Sequence, residues 1–165
     1  PRSTLFPYTT LFRSYKNLSL VFRVLSRVFP KHPELRFLIL GEGPERGKLE
    51  ASAHSLGISD QIIFGGRVSQ EMVLRETAQS LLVLAPALTE FNPNYLLQGI
   101  AYGKPFLVSR ENGLPFEVRE DFVFDALSEE ELEQKLLNLL DKGVYEEALE
   151  WVKTLKTDGD RKSVV

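Results

Sequence analysis

Short apolar runs, each ending in a tight polar turn that leads into a helix, constrain this chain more than any other feature. Two stretches show the pattern most clearly: Phe37–Glu50 (FLILGEGPERGKLE) and Leu81–Val108 (LLVLAPALTEFNPNYLLQGIAYGKPFLV). Arg36–Leu40 lies between Pro33 and Gly41, is short and is apolar almost throughout, the pattern of a strand buried on both faces. Pro44 sits where a helix would begin, and Leu49, Ala53 and Leu56 give that helix one apolar face before Gly57 stops it. Leu81–Ala85 repeats the strand, Asn92-Pro93 opens a second helix, and Gly103-Lys104-Pro105 closes it before a strand at Phe106–Ser109.

The rest of the chain follows suit. Leu18, Val21, Phe22, Leu25, Val28 and Phe29 recur at helical spacing, and Pro30 ends that helix. Gln61–Phe64 reads as strand ended by Gly65-Gly66, and Ser69 caps a helix that runs to Gln79. Phe122–Phe124 is a last short strand. Ser128 and Glu131 form a capping box ahead of Leu132, Leu136, Leu139 and Leu140. Tyr145, Ala148, Leu149, Val152 and Leu155 mark a closing helix. Strands alternating with helices imply an α/β domain whose parallel sheet is covered by helices on both faces. In such sheets ligands bind beyond the carboxyl ends of the strands. The turns after Leu40, Phe64, Ala85 and Ser109 are therefore expected along one rim.

The two ends read differently. Pro1–Ser14 can be encoded by a widely used sequencing-library adapter, and the opposite strand of the same oligonucleotide encodes Asp160–Val165 and then a stop. Residues 1–14 and 161–165 are accordingly expected to be adapter-derived, with residues 15–160 as the domain. Setting aside Arg2, Arg13, Arg161 and Lys162 takes the net charge from −3 to −7. An acidic domain is a poor match to sequence-independent nucleic-acid binding, so no nucleic-acid partner is expected. The chain has no cysteine, which removes disulfides, thiolate nucleophiles and Cys-based zinc sites and fits a reducing compartment. No apolar run approaches the ~20 residues that span a bilayer.

Three turns hold polar residues with chemical potential, each with a plainer reading beside it. Gly41-Glu42-Gly43-Pro44 aims helix N–H groups outward and suits an anion. Arg46 stands where a dinucleotide fingerprint needs glycine, so the turn by itself reads first as structural. Glu90 and Gln98 are spaced to lie at a helix mouth and two turns inward, where a carboxylate accepts hydrogen bonds from sugar hydroxyls. On spacing alone they read as a loop acid and an ordinary helix residue. Lys16-Asn17 precedes the first helix, where a lysine reaches phosphate as a point charge or is simply solvated. His32 and His54 have no ligand-spaced partner, and no metal site is expected.

In this order, Lys16-Asn17, FLILGEGPERGKLE, IIFGGRV, LLVLAPALTEFNPNYLLQGIAYGKPFLVS and Gly113-Leu114-Pro115 resemble the C-terminal, donor-binding domain of group 1 glycosyltransferases of the two-domain GT-B architecture. The resemblance covers Tyr15–Leu140. It implies a Rossmann-like half-fold and a transferase that uses a nucleotide-diphosphate sugar, usually with retention and without a bound metal or other cofactor. By the same resemblance Lys16 binds the diphosphate and Glu90 contacts the donor sugar, the pair expected to be catalytic. Gly66, Arg67 and Val68 match the base-contacting loop. Phe91, Asn92, Asn94 and Tyr95 belong to the turn whose amides approach sugar and phosphate. Gly41 and Gly43 complete the donor-binding set. The implied partners are an N-terminal acceptor-binding domain and, peripherally, the cytoplasmic face of a membrane where glycans or lipid-linked sugars are assembled.

Three positions depart from the family pattern. Gln98 stands where the family has the glutamate that binds the ribose; a carboxylate accepts from two hydroxyls at once, whereas an amide offers one acceptor oxygen. Pro93 replaces a frequent glycine and removes one N–H. The family's Gly-Arg segment just before Lys16 is missing. Gln98 leaves open a degenerate nucleotide-binding or interaction module, and an unrelated doubly wound domain such as half of a sugar-nucleotide epimerase is a third expectation.

Overall fold

The computed structural model describes residues 4–6, 8–11, 14–90 and 93–162; side chains of residue 6, residues 8–11 and residues 156–162 are not described. Among the described residues seven strands form one parallel sheet: β1 (Thr4–Phe6), β2 (Tyr8–Leu11), β3 (Arg36–Glu42), β4 (Ile62–Gly66), β5 (Leu82–Ala85), β6 (Phe106–Ser109) and β7 (Val123–Phe124). β1 and β2 lie end to end along one edge of β3, because Thr4 pairs Arg36, Leu5 pairs Phe37 and Tyr8 pairs Leu40 at a constant offset. Across the sheet the order is therefore β4, β3, β1 with β2, β5, β6 and β7.

The sheet places Thr4–Phe6 and Tyr8–Leu11 at its centre, ahead of the expected domain start at Tyr15. Leu5 is fully buried between β3 and β5, so this segment completes the core whatever its coding origin. Helices α1 (Leu18–Val28), α2 (Arg46–Ser55) and α5 (Glu129–Leu140) pack on one face; α3 (Gln70–Gln79), α4 (Asn94–Ala101) and α6 (Lys142–Lys162) pack on the other. The expected Rossmann-like α/β fold is what forms. Phe22 of α1 meets Phe37 of β3 edge-on, with ring centroids 6.2 Å apart, and Trp151 of α6 stacks on Phe122 at 4.7 Å. α4 lies unusually close to the sheet, since a Cβ added at Gly99 would fall 2.6 Å from Val83 Cγ2.

Three local expectations shift. Pro44 lies in the turn before α2 rather than in its first turn, where the Arg46 amide donates to the Gly43 carbonyl at 3.1 Å. Pro93 is the residue before α4, and its carbonyl accepts from the Leu96 and Leu97 amides at 2.9 Å each. Ser128 Oγ accepts from the Glu131 amide at 3.1 Å, but the Glu131 carboxylate takes the Asp125 amide at 2.8 Å. The Ser128 amide is already spent on the Asp125 carbonyl, so only half of the capping box forms.

Candidate donor site

All strands run the same way, so the segments after β2, β3, β4, β5 and β6 share one rim. Lys16 follows β2, Gly41–Gly43 end β3, Gly66–Val68 leave β4, and Glu90 leaves β5. The rim brings the two residues expected to be catalytic into direct contact. Lys16 Nζ donates to Glu90 Oε2 at 2.7 Å, with the side chains only 14% and 13% exposed. Both neighbours of Lys16 are tied down: the Leu88 amide donates to the Tyr15 carbonyl at 2.8 Å, and Asn17 Nδ2 donates to the Ala126 carbonyl at 2.7 Å. The Glu90 amide in turn donates to the Glu111 carbonyl at 3.0 Å, and Ser109 Oγ donates to the Ala87 carbonyl at 2.5 Å. These bonds stitch the β5 turn to the end of β6, which fixes where the Glu90 carboxylate can point.

Tyr95, in the first turn of α4, is buried; that burial, and then the nearby Glu90 charge, push its phenol pKa well up, so it remains protonated. Gln98 lies one turn further, and its Oε1 is buried with no hydrogen-bond partner among the described residues. A buried acceptor left unmatched costs about 1–3 kcal/mol, so this atom is poised to accept from a ligand donor. Asn94 is exposed at the start of α4. Phe91 and Asn92 lie outside the described residues.

The β3–β4 side of the rim has a different character. Arg46 is ion-paired to Glu42 and, at 2.8 Å, to Glu50, and its guanidinium lies 5.7 Å from the Phe64 ring centre. Glu50, the largest contributor, and Glu42 raise the Arg46 pKa. Gly66 sits at φ +66°, and a Cβ there would come within 3.2 Å of Glu42 Oε1. Only glycine takes that conformation comfortably in so tight a space. Val68 packs against the cluster of Leu38, Leu40 and Val73, so its side chain anchors the loop. Arg67 is exposed.

Sequence reasoning singled out Lys16, Glu90 and Gln98 but missed their supports: Asn17 as a tether, Ser109, the Glu111 carbonyl, and the Glu42–Arg46–Glu50 ladder. The four-residue spacing of that ladder was the legible signal. The carbonyl contacts had none. Elsewhere, a cleft of about 400 Å3 bordered by Arg119, Phe122, Lys135 and Asn138 lies at the amino end of β7, away from this rim.

A family model described as glycosyl transferases group 1 matches residues 2–157. The gpi3 subunit of the phosphatidylinositol N-acetylglucosaminyltransferase of Schizosaccharomyces pombe is 27% identical over 100 residues, which is 61% of this chain and 22% of that relative. The chain thus spans about a fifth of the length of this curated relative. Among solved structures, the C-terminal domain of a group 1 family glycosyl transferase from Francisella tularensis superposes with a TM-score of 0.79 at 17% identity, covering 93% of this chain and 86% of that one. The pneumococcal O-GlcNAc transferase GtfA, solved in complex with UDP and GlcNAc, superposes with a TM-score of 0.79 at 17% identity over 95% of this chain and 33% of that one. At such identities the superpositions establish the fold, and the family match establishes the kinship: this chain belongs to the group 1 glycosyltransferases.

Proposed function

We propose that this chain is the donor-binding half of a glycosyltransferase that takes a nucleotide-diphosphate sugar and, within a longer protein, passes the sugar to a glycan or lipid-linked acceptor with retention. The observation that carries the reading is the Lys16–Glu90 pair on the strand rim. Cleavage of the anomeric bond leaves negative charge on the diphosphate and positive charge on the sugar, and groups placed to meet both lower the barrier. Lys16 has three donors and gives one to Glu90, which leaves the others for phosphate oxygens. Glu90, held beside that cation, offers carboxylate lone pairs to sugar hydroxyls. The Gly66–Val68 backbone receives the base, the Gly41–Gly43 turn lies beside it, and the buried Gln98 Oε1 accepts one ribose hydroxyl. The chemistry invokes no metal ion. The acceptor sits on a separate N-terminal domain, and the longer protein works at the cytoplasmic face of a membrane. Among the described residues no helix is long and apolar enough to cross a membrane.

Calorimetry with UDP-, GDP- and ADP-sugars tests this. One nucleotide series is expected to bind saturably and to weaken in Lys16→Met, while the chain alone transfers no sugar. Absence of binding across the panel, or binding indifferent to Lys16, contradicts the reading. Gln98 favours a second reading, a binding module that has lost turnover; sugar transfer by the full-length protein with its native Gln98 supports the first reading, and donor binding without transfer supports the second. The epimerase alternative is not carried forward, because the family match spans residues 2–157. We also propose that residues 1–14 and 161–165 are adapter-encoded, which sequencing the source locus checks.

A further inference from the structure

Asn17 combines two features that neither its sequence position nor the family resemblance explains. It has φ +58°, and among the described residues it is the one non-glycine in the left-handed region. It also immediately precedes α1, where an asparagine side chain ordinarily accepts a hydrogen bond from the first turn. Here that cap bond is not made. The amide instead donates to the Ala126 carbonyl at 2.7 Å, across a sequence gap of more than one hundred residues. A residue that forgoes its cap and adopts a disfavoured backbone is held there by something else.

We infer that Asn17 is a positioning residue for Lys16. Its left-handed backbone reverses the chain between the short turn at Ser14–Lys16 and α1, and the bond to Ala126 fixes that reversal against the segment leading into α5. Together with the Tyr15–Leu88 backbone bond on the other side, it leaves Lys16 one direction to reach, toward Glu90. Asparagine tolerates the left-handed region better than other side chains, whereas alanine does not. The same tether joins the β7–α5 connection to the rim, so a displacement at Ala126 is felt at the ammonium group. Only the consequence for donor binding rests on the function proposed above; the placement of Lys16 does not.

The test is a double-mutant cycle on the native chain, with Lys16→Met and Glu90→Gln singly and together, read from urea unfolding. In the native background the unfolding constants should depart from the product of the single effects by about threefold. In Asn17→Ala that factor should fall to near one. Asn17→Gly, which allows the backbone angle without the tether, should recover part of it. If Asn17→Ala does not fold, Asn17→Asp replaces it, since its carboxylate repels the Ala126 carbonyl while tolerating the angle. A factor equal to the native one in every Asn17 variant overturns the inference. UDP affinity, measured alongside, should fall several-fold in Asn17→Ala, and adding Asn17→Ala to Lys16→Met should lower it no further than Lys16→Met alone. Lost coupling with unchanged UDP affinity would uphold the positioning role and count against the donor reading instead.

Discussion

Lys16–Glu90 on the strand rim and the Arg23, Arg27, Glu129 and Glu133 network between α1 and α5 use the same chemistry in opposite surroundings. The rim pair is 14% and 13% exposed, whereas the arginines of the network are 41–48% exposed. Water already screens the network, so each of its bonds adds little, and losing one strands no charge. The rim pair is held by backbone ties on both sides of the lysine and behind the glutamate, at the point where a parallel sheet collects ligands. The difference teaches that ion pairs of the same chemistry need not play equal parts: one set staples two helices, and the other stores a cation and a carboxylate in a fixed relation.

That contrast can be broken experimentally. Glu90→Ala leaves the largely buried Lys16 ammonium without this carboxylate and should cost about 1–3 kcal/mol in urea unfolding, whereas Glu129→Ala should cost no more than about 1 kcal/mol; equal losses would erase the distinction. Lys16→Met should weaken UDP binding about tenfold, or 1.4 kcal/mol, while Arg27→Met leaves calorimetric affinity within about twofold. Gln98→Glu should strengthen UDP binding severalfold through a second acceptor oxygen and lower stability modestly, because its carboxylate lies where an orphaned oxygen is already buried. Unchanged affinity would detach Gln98 from the site.

The smallest effect is the pH dependence of the helix staple. Hydrogen bonds from Arg23 and then Arg27 hold the Glu129 carboxyl below the ordinary glutamate value. A lowered folded-state pKa gives stability that is fully present above the unfolded value of about 4.3 and is lost as pH falls through the folded one. The stability difference between the native chain and Glu129→Gln, followed by urea unfolding from pH 7 to pH 3, should therefore be constant above about pH 5 and shrink below. A difference unchanged down to pH 3 would deny the shift.

The alternation of apolar runs and tight turns made the fold legible, because a parallel sheet buried on both faces demands it. The site was half legible. Lys16 and Glu90 were singled out by the family resemblance, but their meeting depends on the strand ahead of Lys16, which carried no strand reading. What held them was not legible. A carbonyl at Ala126 or Glu111 carries no residue-type signature, and a left-handed backbone at Asn17 looks like any loop asparagine. The central strands at Thr4–Phe6 and Tyr8–Leu11 were also missed: their Thr, Tyr, Leu and Phe content suits a strand, but they lie in the segment that reads as adapter-encoded.

The most direct test of the donor site is an amide NMR titration of this chain with UDP. The account predicts saturable shifts gathered at residues 14–17, 41–43, 66–68, 88–90 and 94–98, along the one rim. Shifts gathered instead around Arg119, Lys135 and Asn138 at the amino end of β7, or no saturable shifts with any nucleoside diphosphate, would contradict it.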